Sequence, residues 1–174
     1  MKNSPPRLLL IGAGHFGRQH LKVIAELQQK ALVDLAGVAV NTTASQQSLA
    51  KELDVPVYTH IDASRLQGVD AVDIVTPSDT HFDLVSTCLP HCHVLVEKPL
   101  ATKTDEADRL RRLAEKHRRI LMVGHIFRFN PVILALKELA SEIGAMPRAI
   151  EFSMLNDEKS GIETSAGVSA IRCR

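Results

Sequence analysis

The sequence is short of cysteine, of long apolar runs and of net charge, and each shortage removes a class of protein. Its three cysteines, Cys88, Cys92 and Cys173, form no even set, so a disulfide framework is not indicated and a reducing cytoplasm is the expected compartment. The opening Met-Lys-Asn-Ser-Pro-Pro has neither the apolar stretch nor the cleavage site of a secretory leader. No stretch approaches the roughly 20 apolar residues that cross a bilayer, so no membrane partner is expected. A net charge of +1 gives no general attraction to nucleic acid. Internal repeats and low-complexity tracts are also absent, and 174 residues suit one domain, or one domain with a fragment of another.

What is present is an alternation of short aliphatic runs with longer segments of helical spacing, the pattern of successive βα units feeding a parallel sheet. Strands are predicted at 7–11, 33–40, 57–58, 71–75, 93–96 and 120–123, and the fourth is apolar enough to lie centrally, buried on both faces. In the first helix Phe16, His20, Val23, Ile24 and Leu27 recur at helical spacing and are expected to face the sheet. Phe82, Val85, Cys88 and Leu89 do the same after Ser78 or Asp79, and Leu110, Leu113 and Ala114 mark a further helix. Asn130-Pro131 is a cap and first-turn pair opening an apolar helix that ends at Gly144. The fold class is therefore α/β, a doubly wound, mostly parallel sheet with helices on both faces. Residues 1–130 form its nucleotide-binding domain, 131–155 a boundary helix and one further strand at 148–155, and 156–174, which loses periodicity, an irregular tail.

Chemistry is suggested first by Gly12-Ala13-Gly14-His15-Phe16-Gly17. The G-x-G-x-x-G spacing between a strand and an amphipathic helix fits a dinucleotide's pyrophosphate. Its three glycines allow a tight turn, a close backbone approach and close helix–strand contact, and the helix start supplies N–H groups and positive dipole. The residue reached at the end of the second strand is Asn41 rather than an acid. With Thr42 and Thr43 it can bond a ribose hydroxyl or a 2′-phosphate, or serve the turn alone, so the cofactor is NAD or NADP. Thr76-Pro77-Ser78-Asp79-Thr80-His81 follows the fourth strand where such sheets place ligand loops, and His81 is either a capping or surface histidine or a cofactor contact. Glu97-Lys98-Pro99 ends the fifth strand at the same sheet edge, and Lys98 there can bind or protonate a substrate oxygen.

Those segments, together with Gly124-His125-Ile126-Phe127-Arg128-Phe129-Asn130-Pro131, resemble the Gfo/Idh/MocA oxidoreductase family over about residues 7–155. The resemblance implies hydride transfer between a nicotinamide cofactor and a hydroxyl-bearing carbon, usually on a sugar, inositol or nucleotide-sugar. It implies a catalytic Lys98, a cofactor site of Gly12, Gly14, His15, Phe16, Gly17, Asn41, Thr76, Pro77, His81, Glu97 and Lys98, and Arg128 and Asn130 on the substrate side. The Gly-His-x-x-Arg-Phe-Asn-Pro form tilts the small-molecule substrate toward a nucleotide-sugar.

The family's second domain, with its large, mostly antiparallel sheet and acid/base histidine, is expected to be missing here, leaving one stray strand of it at 148–155. Weak or absent independent turnover follows as an expectation, because the lid and half the substrate contacts go with that domain. The alternative is a non-catalytic dinucleotide-binding module or a subunit completed by a partner chain. The exposed strand at 148–155 is expected to pair with a second copy, giving a homodimer. Cys88, His91, Cys92 and His93 straddle a helix end without a second ligand pair, so no metal is expected. The basic residues between Arg109 and Arg119 share their helix with Asp105, Glu106, Asp108 and Glu115, which reads as a solvated face and not a nucleic-acid surface.

Overall fold

The computed structural model describes residues 4–143, 150–154 and 168–173. They divide after Gly124 into two units. In the first, β1 (Arg7–Ile11) leads through the glycine turn into α1 (His15–Gln29), followed by β2 (Asp34–Ala39), α2 (Thr43–Leu49) and β3 (Val57–Tyr58). After β4 (Ala71–Ile74) a 3-10 turn, Ser78–Thr80, runs directly into α3 (His81–Cys88). Then come β5 (His93–Val96), α4 (Thr104–His117) and β6 (Leu121–Val123). All six strands pair in parallel, in the order β3-β2-β1-β4-β5-β6.

The chain thus begins in the middle of the sheet, grows outward through β2 and β3, and returns to add β4 on the other side of β1. That reversal opens a crevice at the carboxyl ends of β1 and β4, where doubly wound sheets take their ligands. The α/β class and the central place of the fourth strand agree with the sequence pattern.

Period-two alternation sends successive residues of each strand to opposite layers. Leu9, Ile11, Val72, Ile74, Val94 and Val96 pack with Val85, Cys88, Leu110 and Ala114 from α3 and α4. Leu10, Leu35 and Val38 pack with Ile24 of α1 and Leu49 of α2. Each such aliphatic side chain contributes about 1.5–3 kcal/mol by leaving water. Two polar residues interrupt this burial, Asp73 at 3% exposure and His81 at 1%.

The inward face of α1 differs from the expected one. Gly17 and Ile24 are its buried residues, whereas Phe16 and Val23 are 49% and 54% exposed. A stripe centred on positions 17 and 24 leaves the residue preceding each of them about 100° around the helix, toward solvent. Phe16 instead lays its ring edge-on to His20, with centroids 5.1 Å apart.

The second unit holds a 3-10 turn (Ile126–Phe129), α5 (Pro131–Ile143), β7 (Ile150–Met154) and β8 (Val168–Cys173). Asn130 caps α5 as its sequence suggests, its Oδ1 accepting the Val132 N–H at 2.9 Å. Gly144, Arg148 and Leu155, expected to bound this region, lie outside the described residues. Two expectations are corrected. The stretch read as an irregular tail contains β8, and the strand read as stray and unpaired has β8 antiparallel along one edge, with Phe152 opposite Ile171. A ladder satisfies backbone groups of residues far apart in sequence, so periodicity within either segment does not reveal it. Among the described residues no helix is long and apolar enough to cross a membrane.

Candidate functional site

The site is built on the carboxyl ends of four neighbouring strands, β2, β1, β4 and β5. At the end of β1, Gly12 has φ +98°, and a Cβ there would lie 2.3 Å from the Val75 carbonyl oxygen. A Cβ at Gly17 would lie 2.1 Å from the Gly12 oxygen, so the start of α1 can seat against the turn only without one. Gly14 is different, because a Cβ there would meet nothing within 4 Å. Its lack of a side chain keeps open space in front of the helix instead of allowing internal packing. Gly14 also stands at the N-cap of α1 with no side-chain hydrogen bond, and the first turn holds no acidic residue. The N-terminal N–H groups and dipole are thus left for an anion from outside. This cradle fits the pyrophosphate of a dinucleotide. His15 and Phe16 in that first turn are exposed.

At the end of β2, Asn41 is exposed. Thr42 is committed to α2, for its hydroxyl oxygen accepts the Ser45 N–H at 3.1 Å and donates to the Ser45 hydroxyl at 2.8 Å. Of the three polar residues expected near a ribose, Asn41 and Thr43 therefore remain without that duty.

At the end of β4, Thr80 donates its hydroxyl hydrogen to the Pro77 carbonyl at 2.7 Å. The 2.7 Å contact between the Thr76 and Thr80 hydroxyls then has Thr76 as donor, since Thr80 has one hydrogen to give. His81 is neither a surface residue nor a side-chain cap. Its Nδ1 lies 2.7 Å from the Pro99 carbonyl oxygen and its Nε2 2.9 Å from that of Thr76. Both ring nitrogens therefore face carbonyl oxygens inside the protein. His81 instead ties the loop after β4 to the loop after β5.

At the end of β5, Lys98 and Pro99 are exposed. Glu97 turns inward, its side chain 14% exposed, and its Oε2 accepts the Lys98 backbone N–H at 3.2 Å. A Cβ on Gly124 would stand 2.7 Å from Glu97 Oε1, so glycine at 124 makes room for this carboxylate. Facing it, His20 of α1 has Nε2 3.7 Å from Glu97 Oε1 and Nδ1 2.7 Å from Asp73 Oδ2. The Asp73 hydrogen bond holds the His20 pKa above its ordinary value, burial opposes this, and the charges of Asp73 and Glu97 add to the upward pull. The second oxygen of Asp73 is buried with no hydrogen-bond partner among the described residues. No group of three His, Cys, Asp or Glu side chains among those residues is arranged to hold a metal ion.

The sequence reading missed Asp73 altogether and took His20 merely as part of a packing stripe. The available signal was a polar residue at a position whose neighbours all predict burial: Asp73 within Ala-Val-Asp-Ile, and His20 four residues before Ile24. In the second unit, Arg128 is exposed and Asn130 spends its side-chain oxygen on the α5 cap.

Residues 7–125 match the family model described as an oxidoreductase family with an NAD-binding Rossmann fold. The chain belongs to the Gfo/Idh/MocA oxidoreductase family. Among curated relatives, it is 37% identical over 147 residues to UDP-N-acetylglucosamine 3-dehydrogenase of Acidithiobacillus ferrooxidans, covering 84% of this chain and 44% of that protein. It is 36% identical over 140 residues to the rhizopine catabolism protein MocA of Rhizobium meliloti, covering 80% and 42%. A crystal structure of the Acidithiobacillus dehydrogenase superposes with a TM-score of 0.74 at 34% identity, over 88% of this chain and 48% of that one. The chain thus spans less than half the length of these relatives. Its Rossmann unit is the family's NAD-binding part, and the glycine turn, Thr76-Pro77 and Glu97-Lys98-Pro99 lie within the matched residues.

Proposed function

We propose that this Gfo/Idh/MocA chain binds NAD or NADP along the carboxyl edge of its sheet and serves hydride transfer at a hydroxyl-bearing carbon of a nucleotide-sugar. The observation that carries this reading is the strand order. It sets the glycine turn, Thr76 and Lys98 at the ends of β1, β4 and β5, three adjacent strands. A dinucleotide whose pyrophosphate rests on Gly14 would extend across the switch point toward Lys98. The nucleotide-sugar is favoured by the likeness to a UDP-N-acetylglucosamine dehydrogenase and by the Gly124 to Pro131 segment, with Arg128 and Asn130 assigned to the substrate side.

When bound, the nicotinamide supplies the hydride acceptor or donor. The chain's own contribution is to place Lys98 where it holds a proton near the oxygen of the reacting carbon, giving it up as a carbonyl is reduced and taking it as an alcohol is oxidised. Glu97 and His81 fix the turn that carries Lys98, and the backbone at Gly14 fixes the pyrophosphate. Cys88 and Cys92, buried free thiols, suit a reducing cytoplasm.

A second reading has one observation in its favour. Lys98 stands open to solvent in the first unit, and a site without a water-excluding cover is a poor place for hydride and proton transfer. On that ground these 174 residues by themselves bind the dinucleotide better than they turn it over, acting as a cofactor-binding module or as a subunit completed by a partner. The deciding assay mixes the purified chain with NAD or NADP and a panel of UDP- and TDP-sugars and follows reduced nicotinamide. Turnover that falls at least tenfold in Lys98→Ala supports catalysis by this chain. Cofactor binding without turnover supports the module.

A further inference from the structure

The cluster beneath Lys98 is chemically unusual for its position. On the α1 side of the sheet, β1 and β2 present Leu8, Leu10, Leu35 and Val38 and add no titratable group among the described residues. Into this apolar layer β4 inserts Asp73, the residue after β5 adds Glu97, and α1 lowers His20 between the two carboxylates, 2.7 Å from one and 3.7 Å from the other. Two carboxylates brought together at low exposure repel unless a cation lies between them. Among the described residues the only basic group that reaches both is the His20 imidazole. Phe16, from the same helix, covers its ring. The far end of the chain of contacts is the Lys98 backbone N–H on Glu97 Oε2, and Gly124 leaves the carboxylate no β-carbon to displace it.

From this geometry we infer that His20 is a positioning residue: as an imidazolium held by Asp73 it fixes the Glu97 carboxylate, and through Glu97 the turn that presents Lys98. The inference rests on the reading of Lys98 as the nicotinamide-side lysine, and extends it by making the set of that lysine depend on protonation of a histidine one helix away. In the protonated state Asp73, His20 and Glu97 form a continuous charge-paired line. When His20 loses its proton, Glu97 faces a second carboxylate with no cation between them, and its hold on the Lys98 N–H relaxes. The only covalent bond broken in this step is a His20 N–H, whose electron pair stays on the ring nitrogen while the proton goes to solvent.

The test is carried out on the full chain without cofactor, so that it does not depend on turnover. Histidine ring and backbone amide resonances are followed by NMR from pH 5 to 9 in the wild type, His20→Gln and Glu97→Gln. The expected result is a Lys98 amide shift with the same midpoint as the His20 ring. That shift is lost in His20→Gln and in Glu97→Gln, while the His20 ring in Glu97→Gln still titrates. A Lys98 amide that does not follow His20, or that moves identically in all three proteins, overturns the inference. If His20→Gln does not fold, the wild type and Glu97→Gln carry the comparison alone. A parallel NADH titration at pH 6 and pH 8 is expected to show about a fivefold weaker Kd at the higher pH in the wild type and no change in Glu97→Gln. Absence of NADH binding at both pH values would fail the cofactor reading, while the NMR result still decides the role of His20.

Discussion

Gly12 and Gly14 are both glycines of one motif, yet their substitution separates packing from binding. An alanine at 12 would be driven into the Val75 carbonyl at a positive φ, so Gly12→Ala is expected to lower stability by about 2 kcal/mol or more in a denaturant titration. At 14 nothing lies within 4 Å, so Gly14→Ala is expected to keep the melting temperature within about 2 °C, the scale of an ordinary surface substitution. The same protein should bind NADH at least tenfold more weakly, because the methyl group enters the approach to the helix start. His20 gives a prediction of another kind. Its pKa is raised in the fold, chiefly by the Asp73 hydrogen bond, so its stabilising contribution is fully present below the unfolded value of about 6.5 and is lost as pH rises through the folded value. The stability difference between the wild type and His20→Gln is expected to shrink as pH rises from 6 to 8.5, read by denaturant titration at each pH. A difference that grows over that interval would contradict the assignment. The spacing of the glycines was readable from the sequence because three positions carry the constraint. The His20–Asp73–Glu97 line was not, since its members stand 53 and 24 residues apart and meet only when α1 folds over β4 and β5.

Helix ends illustrate how local chemistry and tertiary structure share the work. α1 closes with Ala31 at φ 53°, the Ala31 N–H bonded to the Gln28 carbonyl and the Leu32 N–H to that of Leu27. This is a left-handed closure that normally uses glycine. Ala31→Gly is therefore expected to raise stability by about 0.5–1 kcal/mol in thermal or denaturant unfolding, and a destabilising outcome would contradict the geometry. The Asn130-Pro131 start of α5 and the strand positions were legible because a cap and a two-residue alternation are written in adjacent residues. The buried face of α1 was misjudged because Phe16 and Val23 are apolar enough to count toward a stripe. Packing nonetheless selected Gly17 and Ile24, the smaller residue allowing the helix to approach the Gly12 turn. His81 likewise had the look of a helix-start histidine, and only the return of Pro99 beside Thr76 showed it to be an internal tie.

At the scale of the whole chain, the sheet order determines which loops can cooperate. β1, β4 and β5 are adjacent, so Gly12 shares one edge with Thr76 and Lys98, which lie 64 and 86 residues further along the sequence, and the family match over residues 7–125 covers that edge. The pairing of β7 with β8 could not be read from the sequence, because hydrogen bonding between distant segments leaves no periodic trace within either. The family was legible from the ordered motifs, whereas the choice between NAD and NADP was not, for Asn41 is exposed and can serve either ribose. That the Gly12–Gly17 turn holds a dinucleotide is tested by calorimetric titration of the purified chain with NADH and NADPH. Saturable one-to-one binding of at least one of them is expected, weakened at least tenfold by Gly14→Ala in a protein that remains folded. No binding of either, or binding that Gly14→Ala leaves unchanged, would contradict it.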